Sequence, residues 1–117
     1  MNQHVRVNTA DLIGQALNWA MALAEGKQAR ITNSGVRLAL GGSTYGKINP
    51  ATDEKAGTLA ILRHRVRFDV RMPGHQWAAR VGEVIAGGPT ITIAACRAIA
   101  IAIASLGDVI DIPAELI

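Results

Sequence analysis

Residues 66–81 read VRFDVRMPGHQWAARV, two alternating runs on either side of Pro73-Gly74. Apolar and polar residues exchange at nearly every step, which is the period of a half-buried strand. Pro-Gly between them is a turn signal. A hairpin with these two residues at its tip sets Val70 against Trp77 and Phe68 against Ala79, so the apolar sides stay together. The same register puts Arg67 directly opposite Arg80. Like charges facing each other across a sheet are unfavourable. Either a bulge shifts the pairing, since type II is not the favoured hairpin turn, or something negative sits between the two side chains.

Working toward the N-terminus, the alternation extends back to Leu62. Arg63, Arg65, Arg67 and Arg71 then share one face at steps of about 6.6 Å, twice the strand rise, with Arg80 across from Arg67. Asp69, diagonal to Arg80, moderates that face. Residues 58–64 can equally form a helical turn, so the strand is firm only from Val66. Before it, GGSTYGKINPATDEK over 41–55 reads as a long loop without periodicity. Loops of that length in compact domains are usually functional or disordered, and Tyr45, Asn49, Thr52 and Asp53 supply donors and acceptors.

The two flanks read as helices. Thr9 is a suitable N-cap for a helix over NTADLIGQALNWAMALAEGK, with Asp11 in its first turn and Gly26 as its stop. Between this helix and the loop, QARITNSGVRLAL has the pattern of two short strands around Asn33-Ser34-Gly35. Thr90 can cap a second helix over the Ala/Ile-rich run from Ile91, ended by Gly107. Val5 and Val7 suggest a short edge strand, and the tail after Asp108 is extended. These elements predict an α+β fold, with two main helices packed on a small antiparallel sheet that contains the hairpin near 66–81. All 117 residues then form a single domain, 1–117.

Composition narrows the function classes. Half of the residues are hydrophobic and aromatics make up 3%, which suits tight packing of small side chains and disfavours a base-stacking surface. A net charge of +3 is a mild preference for anionic partners. One cysteine, Cys96, excludes an internal disulfide, as expected of a cytosolic protein. No signal core opens the chain, and the longest apolar run is too short for the roughly 20 residues of a bilayer span. We expect no membrane association.

Catalytic chemistry finds little support. His4, His64 and His75 are scattered, Cys96 lies in an apolar helix, and no nucleophile-and-base grouping or phosphate-loop motif occurs. The chain is therefore expected not to be an enzyme, and to need no cofactor or metal. Anion capture has two sources. Gly88 and Thr90, in GGPT ahead of Ile91, offer a helix start of the kind that favours phosphate. Arginine forks on the hairpin match phosphate oxygens in pairs.

Three stretches in order, VNTADLIGQALNWAMALAEG, INPATDEKAGTLAILRHRV and GPTITIAACRAIAIAIASLGDVIDIPAELI, resemble the NinX-like family of small phage and prophage proteins of unknown function. Ile48-Asn49 stand where that family has Tyr-Ser, and Glu54 stands where an aromatic often follows Thr-Asp. The resemblance implies a phage accessory protein expressed in the cytosol of a bacterial host, and carries no mechanism. Joined to the residue chemistry, it gives a non-enzymatic protein that binds, and by stoichiometry sequesters, a small anionic or nucleotide-like ligand such as a host immune second messenger. The ligand set is Tyr45, Asn49, Thr52, Asp53, Arg63, Arg65, Arg67, Arg80, Gly88 and Thr90. The alternatives are a nucleic-acid-binding accessory protein, in which a cationic ribbon enters a major groove, and an inhibitor of a host protein. A homo-oligomer is expected, since an alanine-rich helix permits close helix contacts.

Overall fold

The computed structural model describes residues 3–26 and 50–117, and the backbone of strands within 29–47. The fold is α+β. Strands β1 (His4–Asn8) and β7 (Val109–Pro113) pair with each other, β2 (Ala29–Thr32), β3 (Gly35–Gly41) and β4 (Thr44–Lys47) form a second sheet, and β5 (Trp77–Val81) pairs with β6 (Val84–Gly88). All of these pairings are antiparallel. Three helices join them: α1 (Gly14–Ala24), α2 (Glu54–His64) and α3 (Ile91–Ala104). Asn49 lies outside the described residues, as does the Asn33-Ser34 part of the turn between β2 and β3.

Helix α3 is the centre of the molecule. Thr90 caps it, its hydroxyl accepting from the Ile93 amide at 3.1 Å, as the sequence led us to expect. One face, with Cys96, Ile99 and Ala100, packs on Leu12, Leu17 and Met21 from the α1 side and on Ile112. The other face, with Ala94, Ala95 and Ala98, packs on Ala79 and Ala86 of the β5–β6 hairpin. Methyl groups on both sides of that seam let helix and hairpin backbones approach closely. Gly88 belongs to this seam, because a Cβ there would lie 2.8 Å from the Ala94 amide nitrogen.

Four readings change. Thr9 does not cap α1; its hydroxyl donates to the Gly107 carbonyl at 2.9 Å, and α1 begins at Gly14. Helix α3 ends at Ser105 rather than Gly107, with Ser105 in the left-handed region at φ 54°. The long loop is shorter than its composition suggested, because β4 occupies part of it and α2 starts at Glu54. Residues 58–64 are helix. Asp53 caps α2 by accepting from the Lys55 and Ala56 amides, and Arg65 closes it at φ 53°. The Val66 and Arg65 amides then return to the Ile61 and Leu62 carbonyls, a Schellman ending that satisfies the last carbonyls of the helix.

The hairpin itself is displaced. Arg67 and Arg80 do face each other, so the register read from the apolar pattern stands. Beyond that bridge, residues 68–76 leave the sheet, and neither Val70–Trp77 nor Phe68–Ala79 pairs. The partner of β5 is β6, reached through Gly82-Glu83. Gly82 has φ 59°, the positive value that a type II′ turn requires at its first central residue. A two-residue Gly-x link between apolar runs is the signal that would have located it.

Arg97, in the middle of α3, is only 6% exposed. Its Nε donates to the Leu12 carbonyl at 2.7 Å and its Nη1 to the Gly87 carbonyl at 2.9 Å. Replacing it leaves two buried carbonyls without donors. Hydrogen bonds to charged groups contribute roughly 1.5–3 kcal/mol each, and removing the ion also relieves its desolvation. Arg97→Met is therefore expected to lower unfolding stability by about 2–3 kcal/mol in urea titrations.

Candidate functional site

A groove of about 560 Å³ lies between the start of α2, the turn into α3 and the beginning of β5. Its position follows from local contacts. Asn18, fully buried on α1, accepts from the Ala51 amide at 2.9 Å and donates to the Thr52 hydroxyl at 3.2 Å. This fixes the chain that enters α2. Gly57 brings α2 onto α3, since a Cβ there would lie 2.6 Å from both the Pro50 oxygen and the Thr92 methyl. Thr52, Thr58, Thr90 and Thr92 line the groove with hydroxyls, Glu54 adds a carboxylate, and Trp77 forms an aromatic wall. Trp77 is 40% exposed, so its ring is available at the surface and not turned inward as the alternation suggested.

The groove brings together two of the expected ligand residues, Thr52 and Thr90. Asp53 sits beside it as the α2 cap. Gly88 is buried beneath the first turn of α3, where it serves helix packing. Tyr45 lies in β4. The arginines do not share a face, because the strand expected to carry them is largely helix and irregular chain. Arg63 donates to Glu25 at 2.7 Å, and His64 Nε2 lies 2.9 Å from the same carboxylate. Arg65 is the left-handed residue after α2. Sequence reasoning missed Glu54, Thr58, Trp77 and Thr92. The spacing of Glu54 and Thr58 is a helical i, i+4 pair, legible once Asp53 is taken as a cap.

The like charges of Arg67 and Arg80 are compensated within the chain. Asp69 accepts two hydrogen bonds from Arg80, from Nε at 3.2 Å and from Nη2 at 2.8 Å. A carboxylate of the chain itself therefore neutralises one member of the pair. The Arg80 hydrogen bond holds the Asp69 carboxyl below its usual 3.8. Elsewhere, burial foremost, with the Glu25 charge adding to it, pushes the Cys96 thiol up to about 12, so it is a protonated, inert core group at neutral pH. Among the described residues, no three His, Cys, Asp or Glu side chains gather in a way that could hold a metal ion. No described helix is long and apolar enough to cross a membrane.

The family of this small α+β chain comes from the sequence comparison. The family model "Bacteriophage P22, NinX" matches residues 8–102, and the chain belongs to that family. The match includes every residue that lines the groove. No curated protein matches the chain.

Two outcomes follow from this geometry. Gly57→Ala should separate α2 from α3 at the groove floor, costing about 1–3 kcal/mol as overpacking; thermal unfolding measures it. Because the folded Asp69 pKa is depressed, its contribution is present above the unfolded value and is lost as pH falls through the lower folded value. Carboxyl-detected NMR should show Asp69 titrating below 3.8 in the native chain and moving up toward that value in Arg80→Gln.

Proposed function

We propose that this phage accessory protein acts without catalysis, by holding a small nucleotide-like ligand in the α2–α3 groove. One observation carries the reading: a single cavity of ligand size joins an exposed indole, a carboxylate and the capped start of a long helix. Sites for small molecules are typically concavities of about 300–1,000 Å³ with a few convergent polar groups. A planar base stacks on Trp77, as bases stack on aromatic rings. The Glu54 carboxylate accepts from sugar or base donors. The Ile91 and Thr92 amides of the first turn of α3, which have no intrahelical carbonyl and are not used by the Thr90 cap, face a phosphate. Sequestration of a host signalling nucleotide would need only affinity and abundance, in keeping with the scattered histidines. The dispersal of Arg63, Arg65 and Arg80 among separate elements favours this over a duplex-binding ribbon. Exposed Leu59 and Leu62 on α2 support self-association as a companion proposal.

Native mass spectrometry with a panel of linear and cyclic nucleotides tests both, since it reports ligand and oligomer in one spectrum. A discrete mass increment with one nucleotide class is expected. Trp77→Ala should weaken it by roughly 1–3 kcal/mol. Thr90→Asp keeps an N-cap oxygen but sets a negative charge against the phosphate, so binding should drop about tenfold or more while stability holds. Equal binding by the Thr90→Asp and native chains would remove the start of α3 from the site.

A further inference from the structure

The chain between the Arg67–Arg80 bridge and β5 forms an unfinished hairpin. Arg67 and Arg80 exchange both backbone hydrogen bonds, at 2.9 and 2.7 Å, which marks a closely spaced antiparallel pair. In such a ladder alternate residues point their N–H and C=O groups to the same side. The polar groups of Ala78 therefore face the side on which Arg67 lies, and the residue in register with Ala78 is Asp69. That pair does not form; the bridge at Arg67 is isolated, and no backbone hydrogen bond from Ala78 to residues 68–72 occurs among the described residues. The chain instead swings out and returns through Pro73-Gly74, with Gly74 at φ 83°. The space left between the arms measures about 560 Å³, lined by Phe68, Val70, Arg71, Met72, Trp77 and Ala78 among others.

Two contacts fix the path of the outlying segment. Asp69 is drawn to the Arg80 side chain. His75 lies against Gly87, where a Cβ would clash with the imidazole. The strand-like alternation of residues 66–72 is thus present without a strand partner.

We propose that this opening is a docking slot for an extended acidic segment of a partner protein, which adds to the edge of β5 at Ala78, a residue 7% exposed whose remaining access is through the slot it lines. An unpaired strand edge supplies main-chain bonds to a peptide, and flanking pockets select its alternate side chains. Phe68 at 38% and Trp77 at 40% exposure offer apolar seats. Arg71 and Arg67 have no ion-pair partner among the described residues, and the nearby acid, Asp69, is already engaged by Arg80. The charge left at the slot is cationic, and an acidic segment complements it. A second copy of this chain fits less well, because pairing two such arms would bring Arg67 and Arg71 of each toward the other's.

The experiment titrates the 15N-labelled full chain with the peptide Ac-Val-Glu-Phe-Glu-Val-Glu-Val-NH2 and with its Lys-for-Glu counterpart. The acidic peptide should slow exchange of the Ala78 amide about tenfold or more, and the lysine peptide should not. Arg71→Glu should weaken acidic-peptide binding roughly tenfold with an unchanged melting curve. Three results overturn the proposal. One is an Ala78 amide already protected in the free chain, with a cross-strand contact to Asp69, which would mean the hairpin closes on itself. Another is protection that grows with protein concentration alongside a doubled mass, which would mean a second copy fills the slot. The third is an unchanged spectrum at millimolar acidic peptide.

Discussion

The guanidinium of Arg97 ties helix α3 to the approach to α1 and to strand β6. Burying a cation costs several kcal/mol even after relaxation, and among the described residues no carboxylate pairs directly with Arg97, the Asp11 charge acting on it only at a distance. What it has are two carbonyls, Leu12 O from the approach to α1 and Gly87 O from β6. Both must point at α3 for the ion to be tolerated. That requirement sets the position of the hairpin along the helix, and with it the placement of Gly88 against Ala94 and of Thr90 at the cap. The α3 wall of the groove follows from the same constraint.

Around that ion the packing is done by small side chains. The seam of Ala79, Ala86, Ala94, Ala95 and Ala98 buries little area per residue but brings main chains close. Close main chains make glycine decisive at two contacts besides that of Gly88 with Ala94. Gly57 admits α2 to α3, and Gly87 admits His75 to the back of β6. The groove exists where α2 and α3 diverge from the first contact. The slot exists where residues 68–76 are held off β5 near the second.

Charge is partitioned between these two concavities. The groove has Glu54 on its wall and Asp53 at its edge, so its affinity for an anion would rest on main-chain amides and hydroxyls. The slot has Arg71 on its wall and Arg67 at its base. Arg63 and Arg80, which a linear reading would add to the cationic total, are committed to Glu25 and Asp69. A net charge read from composition does not show that pairing.

Several features were legible in the residues alone: the Thr90 cap and the helix after it, the β2–β3 strand pair, and the register that opposes Arg67 to Arg80. Each rests on interactions between near neighbours or on strict apolar alternation. Residues 62–65 were not decidable locally, because LRHR suits the outer face of a strand and the end of a helix equally. Asp53, nine residues earlier, resolves them by starting α2 in phase with the Schellman ending at Arg65. Thr9 and Trp77 were misread for a different reason. The Thr9 hydroxyl is taken by Gly107 and the indole is left at the surface by the departure of residues 68–76, both consequences of contacts between distant segments. The sequence by itself determined which elements could form and where most of them begin. Only the tertiary structure decided which of them meet, because a buried arginine needing two distant carbonyls is satisfied in space and leaves no periodic trace along the chain.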